Sequence, residues 1–189
     1  MAKTGMRYVV AAQLKTENIG TLPTYEGGRV VGRAISAEVS LTRTESKLYA
    51  DDVLAESENA ITGGNISIGL DDILEEAQEL IFGLVKVDDE YDDKAVGAPY
   101  VGLGYLQERR YKGAVSYLPW WYYKVQFAPV DDRAQTRGEN VEWQTVTANG
   151  TMMGVVKDDT QIATFRTHKV CQTAAEAISW LNQMAGITA

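Results

Sequence analysis

Ala34-Ile35-Ser36-Ala37-Glu38-Val39-Ser40-Leu41-Thr42 is the stretch on which the fold turns. Ile35, Ala37, Val39 and Leu41 alternate with Ser36, Glu38, Ser40 and Thr42. Successive side chains of a strand point to opposite faces, so this two-residue period predicts a strand with one buried face, placed over Val30 to Arg43. Upstream, Arg7 to Leu14 reads as a first strand, followed by a turn-rich segment with Gly20, Pro23 and Gly27-Gly28. Downstream, Thr44-Glu45-Ser46 reads as a turn that returns Lys47 to Leu54 as a hairpin partner. Beyond the Gly63-Gly64-Asn65 turn, Ile66, Ile68 and Leu70 mark another strand.

The pattern then changes period. Ile73, Ala77, Leu80 and Ile81 fall on one helical face, Asp71-Asp72 opens the helix at its positive dipole end, and Gly83 stops it. An acidic loop follows, Asp88-Asp89-Glu90-Tyr91-Asp92-Asp93. Pro99 to Tyr111 and Ala114 to Phe127 read as two long strands joined at Lys112-Gly113, dense in the aromatic residues that strands favour. Pro119 points to an edge or a bulge there. Asn140 to Thr147 reads as a strand, Asn149-Gly150 as a two-residue hairpin turn, and Thr151 to Lys157 as its partner. A late strand over Ile162 to Lys169 precedes a C-terminal helix. Thr173 and Glu176 form its capping box, Ile178, Leu181, Met184 and Ala185 its buried stripe, and Gly186 its cap. The expected fold is mainly β with α: a β-sandwich or partly closed barrel flanked by a helix, with a short C-terminal helix.

The 189 residues suit one domain spanning 1–189, with a flexible N-terminal arm over 1–6 and long loops near 44–62 and 129–140. Acidic residues number 26 against 18 basic, a net charge of −8 that repels the phosphate backbone rather than gripping it. The only cysteine, Cys171, cannot staple a monomer, and the first six residues lack the apolar core of a signal peptide, so synthesis in the cytoplasm is expected. No window approaches the ~18 apolar residues of a membrane span.

Chemistry is sparse. His168 and Cys171 sit three apart, and on a strand their side chains tend to opposite faces, which disfavours a catalytic pair. Two such residues do not make a zinc site. Gly102-Leu103-Gly104 lacks the lysine and following helix of a phosphate loop and reads as glycine at a close backbone approach. Aspartate pairs recur at 51–52, 71–72, 88–89, 92–93, 131–132 and 158–159. The 88–93 loop is the best calcium candidate, but its spacing matches no calcium loop, and aspartate commonly serves turns and helix starts. No catalytic residue, cofactor or metal is expected. Trp120-Trp121-Tyr122-Tyr123 must face both sides of a strand, which favours burial once in a core and once in a subunit interface. A sugar-binding platform on a monomeric β-sandwich is the alternative.

Several stretches carry a resemblance. Ala34 to Leu41, Lys47-Leu48-Tyr49-Ala50-Asp51-Asp52 and Ile68-Gly69-Leu70-Asp71-Asp72 resemble the major tail protein family of siphophages, especially those of Gram-positive hosts. So do Val101-Gly102-Leu103-Gly104-Tyr105, Arg109-Arg110, Lys124-Val125-Gln126-Phe127-Ala128 and Thr136 to Thr145, in the same order. The resemblance implies a tail-tube fold, hexameric rings stacked into a hollow conduit for DNA, and no catalysis. The partners it implies are further copies, the tape-measure, tail-terminator and baseplate-type proteins, and passing duplex DNA. The site it implies is the virion tail; a tube subunit of another injection or secretion machine is a near alternative. The expected interface residues are Val39, Leu41, Gly102, Gly104, Trp120, Trp121, Tyr123 and Val125, in hairpins over 30–56 and 99–128. Proline at Val39 or Val125 is expected to block assembly more than it unfolds the subunit. Acidic loops are expected to face the lumen.

Overall fold

The structure, a computed structural model, describes residues 2–50, 53–88, 90–93, 97–130 and 145–187. In chain order the elements are β1 (Ala2–Thr16), β2 (Thr24–Gly32), β3 (Ala34–Ala50), β4 (Val53–Leu70), α1 (Glu75–Phe82), β5 (Val85–Val87), β6 (Glu90–Asp92), β7 (Tyr100–Tyr111), β8 (Ala114–Phe127), β9 (Val146–Met153), β10 (Arg166–His168) and α2 (Ala174–Ala185). The protein is mainly β with α, as its alternation and aromatic content imply. Eight strands form one antiparallel sheet in the order β2-β1-β7-β8-β9-β4-β3, with β10 beside β8; β5 and β6 make a separate small hairpin. The sheet is not closed, and its two edges are β2 and β3.

Two cores hold it together. Val9 and Ala11 of β1, Val101 and Leu103 of β7, and Tyr122, Val125 and Phe127 of β8 pack with Ile66, Ile68 and Leu70 of β4, and α1 adds Ala77, Leu80 and Ile81. On the opposite face of β1, β7 and β8, Val10, Ala12, Leu106, Trp121 and Tyr123 pack against Ala177, Leu181 and Ala185 of α2. The central strands are therefore buried on both faces, which is why β8 carries the consecutive aromatics Trp121, Tyr122 and Tyr123. Leu103 lies opposite Tyr122 but Val101 opposite Val125, so β8 carries one extra residue between them. This bulge puts Tyr123 and Val125, two apart in sequence, into different cores.

One polar pair lies inside. The Tyr105 and Tyr122 rings stack 5.8 Å apart, and their hydroxyls are 3.0 Å apart. Burial pushes the Tyr105 phenol well above its ordinary range, so it stays protonated as one half of that bond. Tyr105→Phe is expected to cost about 1–3 kcal/mol in urea unfolding, because it strands the Tyr122 hydroxyl. The double change to phenylalanine should recover part of that loss.

The local signals hold at several points. Lys112 and Gly113 take positive φ (46° and 85°) and join β7 to β8 directly, as a primed hairpin turn requires. Thr173 Oγ1 accepts from the Glu176 amide (3.2 Å), and Gly186 closes α2 in the left-handed conformation. Glu176 then pairs with Lys169 (3.0 Å), so only half of the capping box forms. Gly83 closes α1, but that helix starts at Glu75; Asp71 and Asp72 accept backbone amides of Arg33, Asp72 and Ile73 ahead of it.

Other expectations are corrected. Residues 2–6 are no arm: they extend β1, with Ala2 opposite Arg110. The 44–62 segment is no loop: β3 runs through Thr44-Glu45-Ser46 to Ala50, and β4 returns from Val53. Val30 to Arg43 is two strands broken at Arg33. Asn149-Gly150 makes no hairpin but lies inside β9, opposite Ser67 and Ile66. A β-carbon on Gly150 would lie 2.8 Å from Val125 Cγ1, so close packing rather than a turn selects glycine there. The stretch from Ile162 contributes only the three residues of β10. Pro119 sits in a central strand, at a point between the Tyr117–Cys171 bridge and the β10 pairing, where its carbonyl accepts from the Lys169 amide. The segment 131–144, and with it most of the 129–140 loop and Asn140, lies outside the described residues.

Candidate assembly surface

The two sheet edges are treated differently. Beside β2, the Leu74 amide donates to Val31 O, Arg29 reaches Glu76, and Gly28 and Tyr25 lie against the end of α2. That edge is shielded. Along its 17 residues β3 is hydrogen-bonded to β4 alone, so its outer edge is bare among the described residues. Natural sheets usually cover or interrupt such an edge because it templates pairing with another chain.

The distal half of this hairpin goes further. β4 pairs with β9 only from Gly64 to Leu70. Beyond Gly64 the β3–β4 pair continues alone as a two-stranded ribbon, from Thr42 opposite Gly63 to Ala50 opposite Val53. At ~3.3 Å per residue it reaches on the order of 25 Å beyond its pairing with β9. Residues 42–48 and 56–62 are all exposed, including Leu48 and Ile61 at 58% and 44%. A free two-stranded ribbon is marginal in water without a surface to pack on. Its pairing also sorts its charges: Leu48 lies opposite Glu56 and Ser46 opposite Glu58 on one face, and Lys47 opposite Ser57 and Glu45 opposite Asn59 on the other. Lys47 pairs with Glu45 at 3.1 Å, whereas Glu56 and Glu58 have no cationic partner among the described residues.

The expected interface residues divide. Val39 and Leu41 stand on β3, half-buried on its inner side against the core, with the bare backbone edge beside them. Gly102, Gly104, Trp121, Tyr123 and Val125 lie inside the subunit. Trp121 packs over the two glycines: a β-carbon would approach its ring to 2.4 Å at Gly102 and 2.7 Å at Gly104. The second layer that buries the aromatic run is α2, not a neighbouring subunit. Trp120 is half-buried, stacked by His168 (4.4 Å) and capped by the Arg166 guanidinium (4.7 Å). The run therefore offers no exposed sugar platform. Val125 is paired on both sides, to Val101 and Met152, so proline there would unfold the subunit, contrary to the expectation from sequence.

His168 stacks on Trp120 while Cys171 is buried against α2, so the two stand on opposite faces. Burial pushes the Cys171 thiol above its ordinary range, away from the reactive thiolate. The acidic 88–93 stretch is largely the β5–β6 hairpin, with Lys86 over the Tyr91 ring. Among the described residues no cluster of His, Cys, Asp and Glu has metal-binding geometry. An open cleft of about 690 Å³ runs over β3, β4 and β9, lined by Glu38, Ser40, Asn65, Ser67, Asn149 and Thr151 among others.

Sequence reasoning found the inner half of the β3–β4 hairpin but missed its projection. Residues 42–48 and 56–62 are exposed on both faces, so no apolar alternation marks them. Among the described residues no helix is long and apolar enough to cross a membrane. No protein-family model matches the chain, and comparison with curated proteins finds no significant match.

Proposed function

We propose that this chain is the major tail-tube subunit of a long-tailed phage, whose copies form stacked hexameric rings and a hollow conduit for DNA. The observation that carries this reading is the bare β3 edge continued into an unsupported ribbon: a subunit built to be completed by another copy. The family resemblance of the stretches within residues 34–72 and 101–145 points the same way. In a ring, each subunit covers the β3 edge of its neighbour, which removes the open edge from each subunit in turn. The tape-measure, terminator and baseplate-type proteins are then the partners inside and at the two ends of the tube, and the virion tail is its place.

The cleft face suits the channel. Its short side chains on β3, β4 and β9 bear one carboxylate, Glu38, and no cation. Duplex DNA carries a charge every ~1.7 Å and finds no cation to hold it on such a wall.

The test is negative-stain electron microscopy with light-scattering mass on concentrated protein, beside proline variants at Val39 and Ser40. Adjacent strand residues direct their amides to opposite edges, so one of these prolines meets the bare edge and the other meets β4. The wild type should form rings or tubes with a central channel. The outward proline should abolish them while keeping the melting temperature within a few degrees; the inward one should also destabilise by about 1–3 kcal/mol. A wild-type chain that stays monomeric at all concentrations, or assembly untouched by either proline, counts against this reading.

A further inference from the structure

The acidic ribbon has a counterpart in the same chain. At the Tyr111–Ala114 end of β1, β7 and β8, Lys3, Arg7, Arg109, Arg110 and Lys112 stand close along the strands with a single acidic residue among them, Glu108. These are five of the 18 basic residues of a chain whose net charge is −8, drawn to one end of three strands. Lys3 lies opposite Arg109 and Arg109 opposite Ser116, so the three share one face of the sheet. Arg109 Nε donates to Ser116 Oγ (3.2 Å), which steadies the guanidinium there. Glu108 answers only Arg110, at 3.8 Å, and also accepts from Thr4. Lys3, Arg109 and Lys112 have no carboxylate partner among the described residues.

We infer that the Glu56–Glu58 face of the ribbon docks on the Lys3–Arg109 shelf of a second copy of this chain, an inference that rests on the tail-tube reading and names its contact. Each surface carries uncompensated charge of the sign the other lacks. Within one subunit no ion pair joins them among the described residues. Both surfaces occur once on every copy, as a head-to-tail contact around a ring requires. The ribbon also presents exposed Leu48 beside Glu56, and the shelf presents half-exposed Tyr111 beside Lys112, so an apolar contact can accompany the ionic one. Such a contact orients neighbours more than it binds them, and it weakens as salt rises.

The experiment uses full chains with reversed charge: Glu56→Lys with Glu58→Lys, and Lys3→Glu with Arg109→Glu. Should the second pair disturb folding through the Ser116 contact, Lys3→Glu with Lys112→Glu changes only exposed side chains. Light scattering and sedimentation read assembly, and circular dichroism reads folding. Each reversed variant alone is expected to lose about tenfold or more in association constant, because like charges now oppose. An equimolar mixture should assemble again, because reversed ribbons meet reversed shelves and native ribbons meet native shelves. Reversed variants that assemble like the wild type overturn the docking and leave the tube reading standing. A wild type that never assembles removes both. Short duplex DNA retained by the basic end at physiological salt, and released by Arg109→Glu, assigns that end to nucleic acid and overturns the docking.

Discussion

Replacing residues 44–60 with an Asn-Gly turn, so that Arg43 runs directly into Ile61, is expected to abolish assembly while leaving a folded monomer. Arg43 and Ile61 already face each other across the β3–β4 pair, so a two-residue primed turn joins them without shifting the register. Every buried hydrophobic residue described lies outside the excised segment, the nearest being Val31 and Ile66. No described core residue is lost. Stability should stay within about 1 kcal/mol of the wild type in urea unfolding, since a surface excision of this kind touches no cavity, cap or buried polar group. Assembly should fall to the monomer mass by light scattering, an all-or-none change. Rings of normal size from the shortened chain would confine the inter-subunit bond to the inner half of the β3 edge, between Ala34 and Arg43.

The contrast between the two halves of β3 shows what the sequence could and could not say. Residues 34–42 pack one face on a core, so their alternation is written in apolar residues and is legible. Residues 44–48 are exposed, and a polar strand with two wet faces reads as a turn or loop. Residues 2–6 fail for the same reason: Lys3 and Gly5 pair with β7 through their backbone and leave no hydrophobic period. Asn149-Gly150 fails for a different one. The dipeptide carries the local chemistry of a primed turn, but the tertiary structure uses the missing side chain to admit Val125 and Phe127. The α2 cap, by contrast, depends on residues three apart and was readable. The candidate site was half legible: Val39 and Leu41 stand on the right strand, while the ribbon beyond them and the basic end of β1, β7 and β8 carry their signal in charge, which strand periodicity does not weigh.

Trp121→Ala is expected to lower the stability of the subunit itself by about 3–5 kcal/mol, the range for truncating a fully buried large aromatic side chain. The aromatic run looked like an interface because four adjacent aromatics cannot share one face. Both of its faces are occupied from within the chain, and Trp121 is fully buried between β7 and α2. Tyr25 meets its ring edge-on at 5.1 Å, and Leu181 of α2 closes over the same glycine, Gly104, that its six-membered ring covers. Alanine would leave a hole that none of these can fill without lifting the helix, since Gly102 and Gly104 have no side chains to move into it. The indole Nε1 is buried without an acceptor, so Trp121→Phe should cost less, losing packed volume but no hydrogen bond. An interface residue would show the opposite pattern: a monomer of unchanged melting temperature and a failed assembly. For Trp121 the loss should appear first in the urea midpoint of the monomer, and assembly should fail only to the extent that folding does. Together with the ribbon excision, where assembly fails and folding does not, the pair separates what holds the subunit together from what joins it to the next.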